Sequence, residues 1–144
     1  MSGLAALLAG TVDPDVLLWH AAHDVADVQH TVQHAGWGFG HVDGWTVADT
    51  KPGLLAAIGS ALAFPEWYGQ NFDALADCLR DIGAGTDGVV LLWDGWGTLA
   101  RTDERAFRIA VSVFRSRAHA PDEVPFAALL RGEGPDVPGL PSLD

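Results

Sequence analysis

The run Val89–Trp93 constrains this chain more than any other segment. It is unbroken in its apolar character and lies between Gly88 and the Asp94-Gly95 pair. Such a run, lacking polar alternation, suits a strand buried on both faces, as in the interior of a parallel sheet covered by helices. Val16–Trp19 reads as a short strand. Gly36–Val42 reads as a second, followed by an Asp43-Gly44 turn, and Phe126–Leu130 as a last one closed by Arg131-Gly132. Helical patterns stand between them. Asp24 can cap a helix in which Val25, Val28, Val32 and Ala35 recur at helical spacing. Asp49 or Thr50 can open another, with Pro52 in its first turn and Leu54, Leu55, Ile58 and Leu62 inward; Gly59 weakens it without forbidding it. Thr102 is expected to cap a further helix, with Asp103 and Glu104 favouring its dipole and Phe107, Ala110, Val111, Phe114 and Ala118 as its apolar stripe. Strands separated by helices indicate an α/β fold: one small domain with a mostly parallel β-sheet of three to four strands packed with helices.

At 144 residues, 49% of them hydrophobic, the chain is long enough to bury one continuous core. Its charge is uneven. Residues 1–100 carry twelve acids against only Lys51 and Arg80, whereas five of the eight bases fall between Arg101 and Arg117. A net charge of −11 repels nucleic acid and anionic membrane, and speeds encounter with a cationic protein. It also serves solubility alone. Cys78 is the single cysteine, which excludes an internal disulfide and fits a reducing cytoplasm. The opening MSGLAALLAG lacks a basic n-region and its apolar run is short, so no signal peptide is expected. No stretch reaches the 18 or so apolar residues of a membrane span. Gly132–Asp144 forms a Pro/Gly-rich tail.

Residues 64–79, FPEWYGQNFDALADCL, hold the densest concentration of functional signals. Pro65 and Gly69 punctuate a turn, Asn71 stands where a helix N-cap would, and the helix runs to about Ile82. Leu75, Cys78, Leu79 and Ile82 make its inner face, which leaves Asp73 and Asp77 outward, neighbours at i and i+4. Like charges at that spacing repel, and the helix N-terminus offsets part of the cost for Asp73 but less for Asp77. The pair is either a solvated face or a surface shaped for a basic partner. A glycosidase-like carboxylate pair lacks accompanying polar residues. Trp67 and Tyr68 share the preceding turn, with one ring expected inside and the other outside. An exposed aromatic beside carboxylates is a recurrent hot-spot composition.

Other constellations are weaker. His20, His23, His30 and His34 crowd one segment, but no HExxH accompanies them and Cys78 is remote, so neither metal nor cofactor is expected. Asp94 follows the apolar strand, where α/β proteins place ligands, and fits both a ligand-linked carboxylate and an ordinary Asp-Gly turn. Walker, GxSxG and Ser/His/Asp signatures do not occur.

The segment PEWYGQNFDALADCL, at residues 65–79, closely resembles the central motif of the barstar family, intracellular inhibitors of small secreted ribonucleases such as barnase. Pro65, Glu66, Tyr68, Gly69, Asn71, Asp73, Ala74, Leu75, Asp77, Cys78 and Leu79 carry the likeness, which extends more weakly from Val42 to Leu130. The resemblance implies a barstar-like domain at residues 38–131, a strand–helix extension at 1–37 packed on it, and a tail at 132–144. It also implies a non-enzymatic inhibitor that plugs a basic ribonuclease site in the cytoplasm and is a monomer when free. By position, Asp77 would enter the phosphate pocket of the target, Asp73 would pair with a neighbouring base and Trp67 would cover the mouth. Gly69 and Asn71 would shape the loop above Tyr68. A preformed acidic face fits such a site without the flexibility of an RNA backbone. Desolvated charge pairs can be net favourable, and the barnase–barstar pair is itself the established example. Ala76 stands where the minimal family member has a large aromatic. Ser116, between Arg115 and Arg117, falls where a target-facing Glu is expected, which removes an anion and adds positive charge. The alternatives are an immunity protein or adaptor binding another basic protein, such as a toxin, through the same face, and an enzyme using Asp94 with Asp73 and Asp77 or a histidine.

Overall fold

The computed structural model describes residues 2–143. In chain order the elements are α1 (Ser2–Leu8), β1 (Val16–Trp19), α2 (Val25–His34), β2 (Gly38–Asp43) and α3 (Lys51–Ala61). They continue with α4 (Phe72–Arg80), β3 (Val89–Asp94), α5 (Trp96–Thr102), α6 (Glu104–Ala118) and β4 (Phe126–Arg131). The four strands form one parallel sheet in the order β1-β4-β3-β2. The unbroken apolar run becomes β3, an inner strand buried along its whole length.

Strand alternation divides the core into two layers. Val89, Leu91 and Trp93 of β3, with Phe126, Ala128 and Leu130 of β4, face a cluster filled by α3, α4, α5 and α6. Val90 and Leu92, with Ala127 and Leu129, face a second cluster closed by Leu4 and Leu7 of α1 and Val28 and Val32 of α2. The first thirty-four or so residues therefore supply an edge strand and most of the cover of one sheet face, completed by Trp37 and Leu143. The tail returns to the free side of β1, where Leu18 donates to Pro141 O and Leu143 donates to Leu18 O, both at 2.8 Å.

Three local expectations shift. The apolar N-terminus forms helix α1, which its sequence did not announce. The Asp94-Gly95 turn opens directly into a short helix, α5, because Gly95 adopts φ +70° and Trp45 packs against it where a side chain would collide. Thr102 is therefore the last residue of α5, and the cap of α6 is Asp103, whose Oδ1 accepts from Ala106 N at 3.1 Å.

Candidate functional site

The acidic helix α4 is held at its N-terminus as its sequence implies. Asn71 Oδ1 accepts from Ala74 N at 2.8 Å, and Asn71 Nδ2 reaches back to Gly69 O at 3.4 Å. Gln70 supplies the left-handed residue of the loop at φ +50°. The two rings divide as expected. Tyr68 turns inward, packs edge-on against Phe64 at 4.9 Å and donates its hydroxyl to Leu55 O at 3.0 Å. Gly59 of α3 makes room for it, since a Cβ there would lie 2.9 Å from the Tyr68 ring. Burial, reinforced by Cys78, pushes the Tyr68 hydroxyl up to about 12. Trp67 points out and is 71% exposed.

Along α4, Leu75, Cys78 and Leu79 are buried, Ala76 is half-buried, and Asp73 and Asp77 are exposed. Trp67, Gly69 and Asn71 are exposed with them, so all the sequence-predicted positions share one loop–helix unit. Burial raises the Cys78 thiol, with Asp77 and Asp81 adding to the shift, which keeps the thiol neutral and poorly reactive. Asp77 is not bare. Arg80, one turn on, contacts its Oδ1 at 2.8 Å with both side chains well exposed. The Asp-x-x-Arg spacing could have announced this pair.

On α6, Ser116 is exposed, and its two flanking arginines part ways. Arg115 turns to Asp15 at 3.7 Å and to Gly139 O at 3.3 Å. Arg117 is buried at 5% exposure, and its Nε donates to Leu79 O of α4 at 2.7 Å. The charge of Arg117 is thus spent internally, because it lies three residues after Phe114 on the inner stripe, while Arg115 stays 38% exposed.

Asp94 sits in a different setting. It ends β3 at 3% exposure, directly opposite Arg131 in the register of β4. Arg131 grips it with Nε on Oδ1 at 2.6 Å and Nη2 on Oδ2 at 3.0 Å, while His41 Nε2 lies 2.9 Å from Oδ2. Arg131 Nη1 donates to His23 O at 2.6 Å and to Ala21 O at 3.3 Å. The carboxylate is consumed by the fold. Beside it, at the carboxyl end of the sheet, a groove of about 1010 Å³ is lined by Trp19, Trp45, Trp96, Arg101 and Arg131 among others. None of residues 64–79 reaches it. His30 and His34 stack at 5.9 Å on α2, and among the described residues no group of three or more His, Cys, Asp or Glu is placed to hold a metal ion.

Residues 37–131 match the family model described as Barstar (barnase inhibitor). No curated protein matches the chain. Among solved structures, the chain is similar to the Aeropyrum pernix ORC2 protein in its ADP form, with TM-score 0.63 and 16% identity over 92% of this chain. The ADPNP-ADP complexes of the same protein give TM-score 0.59 and 13% identity over 92% of this chain. The chain spans only 39% and 38% of those structures, and likeness at such identity speaks to the fold alone. No helix among the described residues is long and apolar enough to cross a membrane.

Proposed function

Because the chain belongs to the barstar family, we propose that it is a non-catalytic cytoplasmic inhibitor of a small secreted ribonuclease, occluding a basic active site with α4 and the loop before it. The observation that carries this reading is the outward presentation of Asp73 and Asp77 beside exposed Trp67 on a helix capped by Asn71. A ribonuclease must hold phosphate with cationic groups, and two carboxylates on a rigid helix meet those cations at little entropic cost. Asp77 is assigned the phosphate pocket, Asp73 an adjacent base, and Trp67 the rim. Gly69 and Asn71 hold the loop, and Ala76 leaves the space between the carboxylates open. Residues 1–37 are read as an extension of the same domain as residues 38–131, with 132–144 as its tail. That reading is supported by β1 pairing with β4 and by the shared sheet face under α1 and α2.

The test is co-expression with small secreted ribonucleases, capture on the tagged wild-type chain, and an RNA-cleavage assay of what is captured. Capture and silencing by wild type, lost in Asp77→Ala, is expected. Ala76 in place of a large aromatic favours a second reading, an immunity protein or adaptor for a different basic protein. Capture of a basic partner without ribonuclease activity would select it.

A further inference from the structure

The geometry points to Arg117 as a positioning residue for the acidic helix: its guanidinium clamps the last turn of α4, the turn that carries Asp77, to α6 and β4. This deepens the reading above and takes its functional meaning from it. At nine residues, α4 is too short to be stable by itself, so it depends on the packing of Leu75, Cys78 and Leu79 and on what holds its ends. Asn71 fixes the first turn from within the same segment. At the other end, the final carbonyls of a helix have no partner inside it. Leu79 O is one of these, and Arg117 Nε meets it at 2.7 Å from a site 38 residues away. The guanidinium also lies over the Phe126 ring at 5.7 Å, at the start of β4. Three elements thus converge on one cation, placed where a helix C-terminus favours positive charge.

The arrangement is costly, which argues that its geometry is what it provides. A guanidinium at 5% exposure loses most of its hydration, and its Nη2 has no hydrogen-bond partner among the described residues. An apolar residue at this point of the inner stripe would pack α6 against α4 equally well, yet would leave the Leu79 carbonyl unmet. What the arginine adds is a directional bond two residues after Asp77. Arg117 does not face the partner surface and touches no group proposed to bind there; it acts through α4.

In the free wild-type protein, the Arg117 Nε–H should exchange slowly and show scalar coupling across the hydrogen bond to the Leu79 carbonyl carbon. That signature requires no variant. In Arg117→Met, native-state amide exchange at Ala76–Arg80 should accelerate about tenfold or more, the scale of one charge-assisted hydrogen bond, beyond any change in α3 and β3. Arg117→Lys should recover part of the protection. Exchange in α4 that rises only in step with the whole domain would overturn the proposal, as would a wild-type Nε–H that exchanges freely. Titration against a ribonuclease captured by wild type should show Arg117→Met dissociating faster while Arg117→Lys falls between. If α4 loosens selectively but wild type captures no ribonuclease, the positioning role stands and the inhibitor reading alone falls.

Discussion

Asp77 and Asp94 are the same residue in opposite circumstances. Asp77 stands on the outer face of α4 with water around it and only an exposed Arg80 beside it. Asp94 ends the central strand, enclosed by Arg131 and His41. Exposed pairs of the first kind contribute little to stability, since solvent screens them and side-chain entropy opposes them. A carboxylate in that position keeps its capacity to bind something else. Within the second kind, each partner satisfies a charge that would otherwise be stranded, so the pair is spent on holding β3, β4 and the segment after β1 together. Exposure and prior engagement, rather than the presence of an acid, separate a recognition residue from a structural one.

That contrast can be broken most forcefully at Asp94. Asp94→Ala strands the Arg131 cation and should cost about 3–5 kcal/mol of stability in urea denaturation, with binding impaired only through unfolding. A loss below about 1 kcal/mol would mean that the pair is dispensable. Asp77→Ala should do the reverse. Thermal melts should barely move, within about 0.5 kcal/mol, while affinity for the captured ribonuclease falls by at least ~2 kcal/mol, the hot-spot scale. Asn71→Ala sharpens the comparison from the supporting side. Loss of the cap should cost about 1 kcal/mol of stability and weaken binding with it, measured by denaturation and titration on the same samples.

The smallest effect belongs to Asp43, whose Oδ2 accepts from the Thr46 hydroxyl at 2.6 Å. That bond, with the Trp45 and Thr46 amides, holds its carboxyl below the ordinary value of 3.8 against the opposing effect of burial. A depressed folded value stabilises above the ordinary carboxylate range, and the contribution fades as pH falls through the folded value. Asp43→Asn should therefore lower stability slightly at neutral pH and flatten the acid limb, with variant and wild type converging at low pH. An unaltered acid limb would show that the turn is not held by the carboxylate.

The acidic helix was legible because its determinants are local: Asn71 precedes it, the apolar spacing fixes its inner face, and Asp73 and Asp77 are left over. The setting of Asp94 was not. Its pairing depends on Asp94 facing Arg131 across β3 and β4, a register that no window of sequence contains. Helix α5 escaped notice because it is seven residues long, contains Gly97 and begins at a glycine that reads as a turn. Arg117 was hidden by its charge, since helical spacing from Phe114 puts it inside while its chemistry argues for the surface. The cover supplied by α2 was legible in the helical spacing of Val25, Val28 and Val32, whereas that of α1 was signalled only indirectly, by the lack of polar alternation in β3.

The central claim is that the outer face of α4 occludes a ribonuclease. Its most direct test is calorimetric titration of wild type and Asp77→Ala against a small secreted ribonuclease, with residual RNA cleavage read from the same mixtures. The account predicts that wild type binds and silences the enzyme stoichiometrically, while the folded Asp77→Ala variant binds at least ~2 kcal/mol more weakly and leaves cleavage running. Equal affinity and equal inhibition by the two proteins would contradict it.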